Sequence, residues 1–81
     1  KLKNMTYQEY FEQLRKEFAI KTDAYIKAEK KLTEESNGFI DKQTLEEFTR
    51  AKIEWQNAAN SYNTFLDFAQ QNEINPKDKM Y

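Results

Sequence analysis

The side chains that most often carry catalysis are missing from this chain. It has no histidine and no cysteine. That removes the commonest general base and metal ligand, the thiolate nucleophile and every zinc site of the usual kind. Carboxylates stand in adjacent pairs, Glu34-Glu35 and Glu46-Glu47. Two carboxyls that divide acid and base work must converge on one point, and neighbours on a helix point about 100° apart, so neither pair forms a dyad. A glycine-rich phosphate loop is excluded because Gly38 is the one glycine. Lys27, Lys30 and Lys31 form a basic cluster, but Glu29, Glu34 and Glu35 stand beside them, which marks a solvated face rather than a phosphate patch. The expectation is a protein that is not an enzyme, with no catalytic, cofactor-binding or metal-binding residues, no cofactor and no small-molecule substrate.

The bulk charge narrows the partners. A net charge of −1 with 33% charged residues lacks the basic surface that releases counterions from nucleic acid, so nucleic acid is not an expected partner. No apolar run approaches the ~18 residues of a membrane span, and no signal-peptide core is present. The expected location is the cytoplasm, with secretion by a route that needs no signal peptide left open. Eleven lysines against two arginines, with many Asn and Ile, suggest a low-GC bacterium or its phage. What remains is protein as the partner, and the elements must show which surface it meets.

One Gly and one Pro in 81 residues leave too little turn punctuation for many short strands. Thr6 with Glu9 three residues on forms a capping box, and Met5 stands where it can staple onto Tyr10. A helical pattern then runs from about 7 to 36 and stops at Asn37-Gly38. Thr22-Asp23 could cap a third helix, but the stripe Phe18, Tyr25, Leu32 passes through that point in phase, so one continuous helix is expected. After a turn over 37–41, Asp41 caps a second helix over about 42–72, with Ile40 placed to staple onto Leu45. Asn75-Pro76 forbids continuation. The tail over 73–81 carries Ile74, Met80 and Tyr81, and either frays or docks on the hairpin. The whole chain, 1–81, reads as a single domain.

Folding the chain back at Asn37-Gly38 pairs Leu32 with Leu45, Ala28 with Phe48, Tyr25 with Lys52 and Lys21 with Trp55. The same register pairs Phe18 with Ala59, Leu14 with Tyr62, Phe11 with Leu66 and Tyr7 with Ala69. One constant register across eight pairs is the signature of two antiparallel helices sharing a seam. Large residues meet small ones, as native packing density requires. Two layers carry lysine, and each alkyl stem can lie along an aromatic ring while the ammonium reaches water. The fold class is all-α, an antiparallel two-helix hairpin of coiled-coil type. A single seam buries little against backbone entropy, so dimerisation into a four-helix bundle is expected to complete it.

A second apolar row flanks the seam on one side: Tyr10, Ile20, Ala24, Ala51, Ala58, Phe65 and Phe68. The opposite flank, Gln8, Arg15, Thr22, Glu29, Thr49, Gln56, Asn63 and Gln70, reads as wholly polar. The apolar row is therefore the expected self-association face of a small non-catalytic interaction module, with a heterologous protein or the chain's own tail as the other possible occupants. An inhibitor or immunity-type protein that blocks an enzyme with one helical face is the competing reading. In topology the hairpin resembles the small secreted helical-hairpin proteins of type VII secretion. Those carry Trp-x-Gly at the turn, where this chain has Asn37-Gly38-Phe39 and places Trp55 mid-helix. The resemblance implies the hairpin and no function.

Overall fold

A computed structural model of the chain describes residues 5–34 and 39–80. Two helices account for most of it: α1 (Tyr7–Glu34, 28 residues) and α2 (Lys42–Gln71, 30 residues), packed against each other. The end of α1 beyond Glu34, with the Asn37-Gly38 stop, lies outside the described residues. Helix α1 is unbroken at Thr22-Asp23. The Thr22 hydroxyl donates back to the Phe18 carbonyl at 2.7 Å, so its capping capacity is spent inside the helix.

Both helix starts form as the sequence expects. The Thr6 amide donates to Glu9 Oε1 at 2.9 Å and the Glu9 amide to Thr6 Oγ1 at 3.1 Å, a reciprocal capping box. Asp41 takes an extended conformation and accepts the Thr44 amide at 2.8 Å. These bonds hold the Asp41 carboxyl below its ordinary value: the backbone bond from Thr44 contributes most, then the Thr44 hydroxyl. Ile40 and Leu45 both remain about half exposed, so the staple expected between them buries neither.

The stop of α2 is not made by Pro76. Glu73 takes a left-handed conformation (φ 49°), its amide donates to the Gln70 carbonyl and that of Ile74 to the Ala69 carbonyl. This is a Schellman ending, with a glutamate where glycine is usual. It reverses the chain and sends the tail back along the hairpin. The tail then docks: Gln8 N–H donates to the Pro76 carbonyl at 3.0 Å, Tyr7 N–H to Asp78 at 3.0 Å, and Met80 N–H to Met5 at 2.8 Å. Thr6 and Lys79 pair as an antiparallel bridge. The free N–H groups of the first turn of α1 thus find acceptors in the other end of the chain.

The seam has the expected register but a different phase on α2. Tyr62 stacks between Phe11 (5.6 Å) and Phe18 (5.5 Å), centred on Leu14. Tyr25 lies between Phe48 (5.6 Å) and Trp55 (4.6 Å, rings 5° apart). On α2 the half-buried positions are Thr44, Phe48, Ala51, Trp55, Ala58, Tyr62, Phe65 and Ala69, with Glu47 and Ala59 beside them, while Leu45, Lys52 and Leu66 are exposed. Half of the expected α2 seam is replaced by its preceding neighbours, a rotation of about 50° at 100° per residue. Two costs decide it. Lys52 in the seam would desolvate an ammonium, and Phe65 buries more apolar area than Leu66.

The molecule is one helix layer thick. It measures 52 × 29 × 15 Å, with a radius of gyration of 17.1 Å against about 12 Å for a compact domain of this length. Among the described residues only Leu14, at 8% exposure, is buried. Trp55 Nε1 is a buried donor without an acceptor among them, worth about 1–3 kcal/mol of lost solvation.

Candidate interaction surface

The rotation of α2 divides the apolar row that the sequence marks as a face. Phe65 turns inward and becomes the hub of a ring cluster, 5.0 Å edge-on from Tyr10, 6.3 Å from Tyr7, 6.5 Å from Phe11 and 6.3 Å from Phe68. Ala51 and Ala58 go half-buried into the seam, and Tyr10 is half-buried against Phe65. Ile20 (62% exposed) and Phe68 (44%) stay open, as does Ala24. The structure therefore gathers Tyr10, Phe65 and Phe68 at the open end, and leaves Ile20 and Ala24 along α1 above them.

The same rotation brings acidic residues of α2 to this flank. Glu54 accepts from Lys21 Nζ at 2.9 Å and Glu47 from Lys31 Nζ at 3.3 Å, both across the helix pair. Lys21 thus leaves the aromatic seam by its tip and ends on a carboxylate of the facing helix. Of the within-helix pairs that the spacing suggests, Asp23–Lys27 closes at 3.1 Å. Glu17–Lys21 gives way to the cross-helix pair, and Glu12–Lys16 and Glu46–Arg50 are not among the ion pairs of the described residues. With Glu47 engaged by Lys31 and Glu46 exposed, that carboxylate pair diverges. Glu35 of the other pair lies outside the described residues. Among those residues no group of three or more acidic side chains is placed to hold a metal ion.

The opposite flank is not wholly polar, contrary to the reading from spacing. Turning Phe65 and Ala51 inward carries Leu45 and Leu66 outward, and both are exposed. At the open end Leu66 borders a groove of about 600 Å³ with Phe11, Ala69, Ile74 and Pro76, rimmed by Gln8, Glu12 and Arg15. The tail enters there and crosses the start of α1. It brings Met80 beside Tyr10, Phe65 and Phe68 on the first flank, where a shallower hollow of about 510 Å³ lies. The sequence offers the tail, Met80 included, as one possible cover of this face without fixing where it lands. A lone methionine after Pro76 shows no period, and its place follows from the left-handed turn at Glu73.

The chain matches no known protein family, no curated protein and no solved structure. No helix among the described residues is long and apolar enough to cross a membrane.

Proposed function

We propose that this chain is a non-catalytic helical-hairpin interaction module that self-associates through the flank bearing Tyr10, Ile20, Ala24 and Phe68. The observation that carries this reading is the single layer. Stable domains are built from two packed layers around a core, and here one layer 15 Å thick buries only Leu14 among the described residues. The chain exposes 6646 Å², whereas a 9.8 kDa monomer ordinarily exposes about 5,200 Å². The excess exceeds the roughly 800 Å² that one partner gives to a standard interface. A second copy laid on one flank supplies the missing layer and makes a four-helix bundle.

Two features favour this flank over the other. Aromatic residues of the kind that anchor interfaces, Phe68 and Tyr10, sit on it. Its cross-helix charges are already paired, Lys21 with Glu54 and Lys31 with Glu47, so covering it strands less charge than covering Arg15, Glu29 and Lys52 opposite. Ile20 and Phe68 are exposed, so Ile20→Glu and Phe68→Glu test the face, with helical circular dichroism as the check that the hairpin stays folded. Light scattering of the parent chain is expected to show mass rising with concentration toward twice 9.8 kDa, and the Glu variants to stay at the monomer mass. Variants that associate like the parent would remove this flank from the interface.

A further inference from the structure

The C-terminal segment lies against the same residues that the proposed function assigns to association, and from that juxtaposition we infer that it is a strap gating the face. The inference rests on the self-association reading and adds its regulation. Met80 borders a hollow with Tyr10, Phe65 and Phe68, the apolar anchors at the open end, with Ser61 and Thr64 beside them. Met80 is half-buried there and takes up part of the apolar end of the flank that a second copy would otherwise cover. While the strap is seated, a partner that covers Phe68 and Ile20 must also accommodate Met80 at the open end.

The attachment of the strap suits a gate. Beyond the helix ending it is held to the start of α1 by three backbone hydrogen bonds, to Tyr7 and Gln8 and from Met80, and by the Thr6–Lys79 bridge. None of these is a buried ion pair or a core side chain. Its hinge is Glu73, a non-glycine residue at φ 49°, a conformation that favours departure because any straighter backbone relieves it. Helix α1 does not unravel when the strap leaves: the capping box of Thr6 and Glu9 is made by α1 itself, and water can solvate the two released amides. Closed and open forms therefore share one hairpin and differ in the cover on one end of one flank. Association that requires the open form is weakened by the fraction of chains in that form.

The test is a reversible lock. Thr6 and Lys79 face each other on the antiparallel bridge, where Cα atoms stand about 4.5–5.5 Å apart, within the reach of a disulfide. The chain has no cysteine of its own, so Thr6→Cys with Lys79→Cys gives one defined cross-link and keeps Met80 in place. In sedimentation equilibrium the oxidised double variant is expected to dimerise at least tenfold more weakly than the same protein after reduction. Met80→Glu, which expels the strap tip, is expected to dimerise at least tenfold more tightly than the parent. Equal dimer constants for oxidised and reduced protein, with the parent still dimeric, would overturn the strap and leave self-association standing. Monomers in every state, with helical circular dichroism intact, would overturn both.

Discussion

At the scale of single residues, the fold depends on a few atoms at chain reversals. Glu73 is the clearest case. Holding an L-residue in the left-handed region costs about 1–2 kcal/mol, and the Schellman ending requires that region at this position. Glu73→Gly is expected to stabilise the chain by about 1 kcal/mol, read as a higher urea midpoint at unchanged slope. A lower midpoint would mean that the glutamate side chain makes a contact the turn depends on. Asp41 gives the pH dependence its sign. Its carboxyl is lowered by accepting the Thr44 amide, so the folded state favours the ionised form. The stabilisation is complete above the ordinary carboxylate value of 3.8 and is lost as pH falls through the lower folded value. The difference in thermal midpoint between parent and Asp41→Asn is expected to be largest near neutrality and to shrink below that range. A difference that grows on acidification would contradict the cap.

At the scale of the elements, the phase of α2 is the finding with most consequence. Phe65 is the hub of four ring contacts while Leu66 is 38% exposed. Phe65→Ala is accordingly expected to cost about 2–3 kcal/mol, toward the lower end for a half-buried ring, and Leu66→Ala less than about 1 kcal/mol. The reverse order in urea titrations would restore the seam read from spacing. The cross-helix pair Lys21–Glu54, at 2.9 Å but part-exposed on both sides, is expected to show a coupling of about 0.5 kcal/mol in a double-mutant cycle, fading in 1 M salt. A coupling unchanged by salt would mean the pair is shielded from solvent, as under a partner. These elements also show how much the sequence carries. The helix starts, the continuity through Thr22-Asp23 and the register about Leu14 and Tyr62 follow from local capping and period, and all are found. The phase of α2 does not follow from period, because residues 44, 51, 58 and 65 repeat as faithfully as 45, 52, 59 and 66. The choice between them turns on the desolvation of Lys52 and the area of Phe65, which exist only once α1 is in place. Docking of the tail was one of two outcomes left open by the sequence, and its place was hidden for a related reason: nothing in Glu73 announces a left-handed turn.

At the scale of the whole molecule, shape governs function. A layer 15 Å thick gives nearly every side chain an edge in water, so α1 and α2 hold each other through stacked rings rather than a closed core. Such a hairpin offers two long flanks for another protein. One flank has two cross-helix ion pairs and aromatic anchors at its open end, where Met80 also lies. Association would add the second layer that the chain lacks and would raise its stability with protein concentration, since binding of the native form alone stabilises it by mass action. Sedimentation equilibrium of the parent chain beside Phe68→Glu tests this most directly. The expected result is a concentration-dependent mass reaching twice 9.8 kDa for the parent and a monomer mass for the variant. A folded parent that remains at 9.8 kDa at every concentration would contradict it.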